Sequence, residues 1–243
     1  MEQISKKPDA HHQRIAAIVV AAGSSKRMCG VDKVFVEVAQ RPLLAHSVQI
    51  LEDAPEIDDI VLVVNSRSIE HARDLSVGHG WQKVREVIAG GERRQDSVRK
   101  GLEILGDVKW VVVHDGARPC LSRDMLVRGF EAAHETGAAV AAMPVKDTIK
   151  VVLEDHRILK TPSRDQLWIV QTPQIFRQTL LSEAHQRVTE DVTDDASMVE
   201  CIRGTVKVFM GSYDNIKVTT TEDLAFVEIL LTDRITATKR TAL

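Results

Sequence analysis

The fold is decided by Ile15-Ala16-Ala17-Ile18-Val19-Val20-Ala21-Ala22-Gly23-Ser24-Ser25-Lys26-Arg27-Met28, with Lys33 a few residues on. An unbroken apolar run predicts a strand covered on both faces, since such a strand meets apolar neighbours above and below. Gly23 lets the backbone turn sharply and approach a ligand closely. Small residues after it expose backbone N–H groups, which can form a concave anion site. Lys26, Arg27 and Lys33 add fixed positive charge, so a polyphosphate is the natural guest. The stretch has neither the Gly-Lys-Ser/Thr ending of a P-loop nor the three-glycine dinucleotide spacing. An ordinary strand-to-helix turn with solvated basic residues is the alternative reading.

Working outward, similar runs recur at Ile60–Val64, Trp110–Val113 and Ala138–Met143, and Val84–Ile88 also reads as a strand. Helical spacing separates them: Leu43, Leu44, Val48 and Leu51 behind Pro42, then Val98, Leu102 and Leu105, then a stretch from a Ser122 cap to about Thr136. Ser66 or Ser68 is the expected cap of a helix after the second strand. Strands alternating with helices predict an α/β protein with a mostly parallel twisted sheet and helices on both faces. The rhythm breaks after Pro144. Ile149–Leu153, the turn material Glu154-Asp155-His156 and Ile158-Leu159 predict a protruding β-hairpin arm over about 145–170. Such an arm is too thin to hold a core, and a second subunit is the simplest thing for it to pack on. Short helices are expected from about Phe176 and Asp194, a strand near Val206–Met210, and a last helix from about Glu222 whose capping box pairs Thr219 with Glu222. Residues 1–14 read as a flexible tail and 15–243 as one domain.

Composition narrows the classes of function. A net charge of -3 over 243 residues leaves any basic site local, which argues against nucleic-acid or membrane-surface binding. Aromatics at 4% leave little for base-stacking platforms. Three widely spaced cysteines, Cys29, Cys120 and Cys201, argue for a reducing compartment over a disulfide framework. With no signal peptide and no apolar run of membrane-spanning length, a cytoplasmic location is expected.

Four loops loaded with chemistry should share the carboxyl edge of the sheet, where open α/β sheets bind ligands: Gly23–Lys33, Gly90–Ser97, Asp115–Arg118 and Asp147-Thr148. An aspartate directly after a buried strand, as Asp115 is, suits a partly hydrated hard cation that also touches a phosphate; a turn or capping role is the alternative. Arg118 could fork onto a phosphate or pair with an acidic neighbour. Gly90-Gly91 permits close approach of a ring or sugar, and Glu92 can accept from ribose hydroxyls, against a plain glycine turn. Lys217, in Asp214-Asn215-Ile216-Lys217-Val218, sits in a strand-like pattern where a lysine is usually surface. His114 reads as a packed histidine beside Asp115, and no Ser–His–Asp or Cys–His arrangement is detectable.

Taken together, Ala21-Ala22-Gly23-x-x-x-Arg27-Met28 with Lys33, Gly90-Gly91-Glu92-x-x-x-Asp96-Ser97 and His114-Asp115-Gly116-Ala117-Arg118-Pro119 resemble one family, and the match runs in order along the chain. Asp147-Thr148, Thr172-Pro173-Gln174, Thr193-Asp194-Asp195-Ala196-Ser197 and Asp214-Asn215-Ile216-Lys217-Val218-Thr219 extend it. The family is 2-C-methyl-D-erythritol 4-phosphate cytidylyltransferase, of the non-mevalonate isoprenoid pathway. The resemblance implies a Rossmann-like nucleotidyltransferase sheet, a homodimer interlocked through the arm, and Mg2+. It also implies transfer of a cytidylyl group from CTP to methylerythritol 4-phosphate with release of pyrophosphate. Carried over by residue, Arg27 and Lys33 would stabilise charge at the α-phosphate. Ala21, Ala22, Gly23, Gly91, Glu92 and Ser97 would hold cytosine and ribose, and Asp115 the metal. Arg118, Thr148, Arg164, Thr193 and Lys217 would hold the acceptor, with Thr148 and Arg164 reaching a partner's site. The sequence departs from the family pattern at Ser24-Ser25 (a second glycine is common), Val34 (glutamine) and Glu92 (aspartate). Two rivals remain at this stage, a ribitol 5-phosphate cytidylyltransferase and a non-catalytic nucleotide-binding regulator on the same fold.

Overall fold

The structure is a computed structural model describing residues 13–23 and 32–241. Residues 1–12 of the expected 1–14 tail, and Ser24 to Met28 of the basic loop, lie outside the described residues.

The apolar run becomes strand β1 (Ile15–Ala21). A short 3-10 turn over Lys33–Phe35 leads to a small antiparallel pair, β2 (Glu37–Val38) and β3 (Arg41–Pro42), so only the end of the expected extended piece at Phe35–Val38 is strand. Helix α1 (Leu43–Asp53) starts directly after Pro42, as predicted. Then come β4 (Asp59–Val64), α2 (Ile69–His79), β5 (Val84–Ala89), α3 (Arg94–Ile104), β6 (Trp110–Asp115), α4 (Arg123–Thr136) and β7 (Ala138–Pro144). The arm is a real antiparallel hairpin of β8 (Val151–Val152) and β9 (Ile158–Lys160). The chain closes with β10 (Trp168–Arg177), α5 (Gln178–Arg187), α6 (Asp195–Cys201), β11 (Lys207–Met210) and α7 (Thr221–Thr241).

The main sheet has seven strands in the order β11-β7-β10-β6-β1-β4-β5. All its pairings are parallel except those of β10, which runs antiparallel between β6 and β7. Alternation along β1 divides the core. Ala17 and Val19 join Leu44, Val48, Met125 and Val227 on one face, while Ala16 and Ile18 join Val98, Leu102, Leu181 and Met198 on the other. Helices therefore cover both faces, and the strand ends are left to bind ligands.

Four local expectations need correction. Phe176 begins no helix; it is a fully buried residue of β10, and the helix starts at Gln178. Lys217 is not in a strand: the segment hangs from Ala117 O, which accepts from Val218 N, and from Asn215 Nδ2, which donates to Thr172 O. Asp223, not Glu222, caps α7, accepting from the backbone N–H groups of Thr219 and Thr220 and from the Thr219 hydroxyl. Ser68 occupies the cap position of α2 but sends its hydroxyl to Asp32 Oδ2 at 2.7 Å, and Asn65 caps the preceding 3-10 turn instead.

Candidate active site

Two adjoining cavities lie at the carboxyl edge of the parallel strands. The larger, about 430 Å³, lies among Ala22 and Gly23 after β1, Lys33, the turn Gly91–Arg94, Ser97, Asp115 and Lys217. The smaller, about 180 Å³, is walled by Arg118, Gln171, Thr172, Gln174, Thr193 and Asp194. Arg94, Asp115 and Lys217 line both. A groove of 440 Å³ between α3 and α5 is as large, but none of the motif residues lines it.

The glycine turn fits the larger cavity because side chains there would collide. A Cβ on Gly90 would stand 2.2 Å from Ala22 Cβ and 2.7 Å from Ser97 Oγ, and one on Gly91 2.4 Å from Asp96 Cβ. Ser97 bridges the turn, accepting from Gly91 N at 3.0 Å and donating to Arg93 O at 3.2 Å. Lys33 is half-buried on the opposite wall, and its Nζ donates to Val218 O at 2.7 Å. That bond ties the lysine of the first loop to the segment carrying Lys217.

Asp115 sits at the shared wall among three cations. Lys217 Nζ is 2.9 Å from Oδ2, Arg118 Nε 3.4 Å from Oδ2, and Arg94 Nε 3.3 Å from Oδ1. Burial alone would raise its pKa; the fields of Arg94, Lys217 and Arg118 outweigh burial and hold the carboxyl well below the usual range. His114 keeps the aspartate in place from behind. Burial pushes its imidazole down to about 4, so the ring is neutral at physiological pH. Its Nε2–H donates to Arg118 O at 3.1 Å, leaving Nδ1 to accept from the Thr172 hydroxyl at 3.0 Å. That hydroxyl in turn accepts from Asp115 N at 3.0 Å. A packed histidine is what the sequence predicts, and this bonding pattern is the physical reason.

Strand β10 shapes the smaller cavity. Ile169 and Val170 pair with Met143 and Ala142, but Gln174 pairs with Val140, so four steps along β10 match only two along β7. Bulges re-aim side chains near active sites, and here the displaced residues are Gln171, Thr172 and Pro173. Gln171 Nε2 donates to Ser212 O at 2.8 Å, and Gln174 Nε2 to Asp194 Oδ2 at 2.8 Å.

A sequence profile described as 2-C-methyl-D-erythritol 4-phosphate cytidylyltransferase matches residues 15–233. The chain belongs to that family. A cytidylyltransferase of this name from Dehalococcoides mccartyi is 46% identical over 220 residues, covering 90% of this chain and 97% of the relative. One from Alkaliphilus metalliredigens is 44% identical over 91% of this chain and 94% of its own. Among solved structures, a 4-diphosphocytidyl-2C-methyl-D-erythritol synthase from Anaerococcus prevotii superposes with a TM-score of 0.81 at 30% identity, covering 91% of this chain and 99% of its own.

Of the residues expected of a cytidylyltransferase of this family, Ala21, Ala22, Gly23, Lys33, Gly91, Glu92, Ser97, Asp115 and Lys217 line the larger cavity. Arg118 and Thr193 line the smaller, and Arg118 is further held by Asn215 O, which accepts from Nη1 at 2.7 Å. Thr148 and Arg164 come to neither cavity of their own chain. Both are exposed on the arm, where Arg164 Nη1 donates to Lys146 O at 3.1 Å. Arg27 lies outside the described residues. Sequence reasoning gave no role to Arg94, Gln171, Gln174 or Asp194. Arg93 and Arg94 are neighbours of one type, and only the structure separates them: Arg93 borders the larger cavity but turns its guanidinium back to Asp96, whereas Arg94 lines both cavities and reaches Asp115.

Proposed function

We propose that this protein transfers the cytidylyl group of CTP to 2-C-methyl-D-erythritol 4-phosphate, releasing pyrophosphate. Support comes from one observation above all: two cavities at the sheet edge share a wall of Asp115, Lys217 and Arg94, so two bound phosphates would meet there. In the reaction an oxygen of the acceptor's phosphate attacks the α-phosphorus of CTP. The bond from that phosphorus to the α,β-bridging oxygen breaks, and its electron pair leaves with pyrophosphate. The nucleophile is a phosphate monoester, mostly dianionic near neutral pH, so the residues supply no general base. They supply orientation and positive charge against two repelling anions. In this reading Ala21, Ala22, Gly23, Gly91, Glu92 and Ser97 hold the nucleoside, and Lys33, with Arg27, meets charge growing at the α-phosphate. Arg118 and Thr193 hold the acceptor, and Lys217 lies between the two.

The donor set also bears on a divalent ion. No cluster of three or more His, Cys, Asp or Glu able to hold a metal occurs among the described residues. One strongly ionised carboxylate at the shared wall fits a magnesium ion that takes its other ligands from phosphate and water. Asp115 would hold it, and its charge would offset that of the triphosphate.

The same reading takes residues 15–243 as one nucleotidyltransferase domain and residues 145–170 as a homodimerisation arm. Thr148 and Arg164 then serve a second copy's acceptor cavity. The exposed Ile158, Leu159, Trp168 and Ile169 give the arm apolar surface to bury. No helix among the described residues is long and apolar enough to cross a membrane; a cytoplasmic setting belongs to the proposal. Pyrophosphate release measured with CTP and each acceptor tests it: methylerythritol 4-phosphate should be strongly preferred. Preference for ribitol 5-phosphate would overturn the acceptor assignment, and no release with either would favour a nucleotide-binding regulator.

A further inference from the structure

Arg94 is one guanidinium between two very different carboxylates. Its side chain is 23% exposed. Nη1 donates to Asp195 Oδ2 at 2.5 Å, and Nε donates to Asp115 Oδ1 at 3.3 Å. Asp195 is fully buried and held on its other oxygen by His185, whose Nε2 lies 3.1 Å away. Asp115 faces both cavities and shares its charge with Lys217 and Arg118 as well.

The three cations around Asp115 are not equivalent once phosphates enter. Lys217 is 39% exposed, and Asp115 is its salt-bridge partner in the protein. Arg118 keeps its Nη1 on a backbone carbonyl, but among the described residues its only carboxylate is Asp115, at 3.4 Å. Both are drawn toward polyanions arriving in the cavities they line. Arg94 is not free to follow. Leaving Asp195 would strand a buried charge, which is strongly destabilising. Its far end stays anchored while its near end stays beside Asp115.

We propose that Arg94 is a positioning residue of the transfer reaction. Anchored on the buried Asp195–His185 pair, it holds the Asp115 carboxylate in place while Lys217 and Arg118 turn to the phosphates. The inference rests on the reading of Asp115 as the carboxylate that works alongside the phosphates. It explains why a buried acid at the start of α6 and a histidine on α5 are coupled to the sheet edge at all. Both lie behind the cavities, and Arg94 connects them to the reacting groups.

The test uses the full chain in four forms besides wild type. Arg94→Lys keeps the charge but loses the fork, and Asp195→Asn keeps the shape but weakens the anchor. Arg94→Met combined with Asp195→Asn removes both charges, so neither is stranded in the interior. Asp115→Asn is the reference. Readouts are melting temperature, kcat and KM for CTP, and Mn2+ affinity of the protein–CTP complex, followed by the electron paramagnetic resonance of free Mn2+ without acceptor. We expect the Arg94 and Asp195 variants to fold, to lose tenfold or more in kcat with KM for CTP changed less than threefold, and to bind Mn2+ at least fivefold more weakly. Asp115→Asn should move the same way and further. Wild-type kcat and Mn2+ affinity in the double variant, with Asp115→Asn impaired, would overturn this inference and leave the proposed function standing. A normal Asp115→Asn would overturn the underlying reading instead. Failure of every Arg94 and Asp195 variant to fold, or a lowered melting temperature with unchanged kcat and Mn2+ affinity, would assign the pair to stability alone and equally overturn it.

Discussion

Replacing Gly90 with alanine adds one methyl group at the tightest point under the larger cavity. The new Cβ would lie 2.2 Å from Ala22 Cβ and 2.7 Å from Ser97 Oγ. An ordinary carbon–carbon contact is about 3.5–4.0 Å, so the glycine turn and the end of β1 must part by roughly 1.5 Å. The opposing atom is a Cβ fixed to backbone, and no side-chain rotation can relieve the clash. Overpacking of this kind costs about 1–3 kcal/mol. In a chain of this size about 2 kcal/mol lowers the melting temperature by roughly 4–8 °C. Gly23→Ala is the matched control, because a Cβ there meets no atom of the described residues within 4 Å. Calorimetry of both variants without ligand, at one protein concentration, should show the drop for Gly90→Ala and a melting temperature within about 1 °C of wild type for Gly23→Ala, whose added methyl touches none of the described residues. The parted loop should also raise KM for CTP in the Gly90 variant. A Gly90→Ala protein that melts with wild type, or two variants with equal losses, would refute the close-approach argument.

Three further outcomes are expected. Lys33→Ala should lower kcat by about 10²–10³, the size typical of one removed charge-stabilising donor, with a much smaller change in KM for CTP; a raised KM at unchanged kcat, read by steady-state kinetics, would place Lys33 in ground-state binding only. Deleting Val145–Ile158, or placing aspartate at both Ile158 and Leu159, should give inactive monomers by light scattering coupled to gel filtration, and an active monomer would defeat the interlocked-dimer reading. Cys120 is buried and its thiol is pushed up to about 11 by that burial, whereas Cys201 is exposed. Iodoacetamide at pH 8 followed by peptide mapping should therefore label Cys201 in the native protein and Cys120 only after denaturation.

The central parallel strands were legible because they are buried on both faces and read as uninterrupted apolar runs, as Ile15–Ala21 and Trp110–Val113 do. The strand Trp168–Arg177 was not legible, for a physical reason. Its first residues are exposed, Pro173 interrupts it, and Gln171, Thr172 and Gln174 are buried polar groups that serve the site rather than the core. A strand that lines a cavity loses the hydrophobic signature by which strands are found. The segment holding Lys217 failed in the opposite sense, since Ile216 and Val218 give a strand-like alternation while the backbone is held by Asn215 and Ala117. Asp115 and Lys33 were singled out because their residue types suit phosphate chemistry, whereas Lys217 reads as a surface lysine and drew a site role only from the family resemblance. Arg94 was hidden beside Arg93, for no spacing rule says which of two consecutive arginines faces inward at the first turn of a helix.

The antiparallel strand also joins two parts of the molecule that are usually treated separately. Its exposed beginning is the root of the arm, and within four residues the same backbone forms the floor against which an acceptor would lie. Anyone redesigning the polyol preference of this scaffold would have to treat hairpin and floor as one cassette, since a single strand carries both.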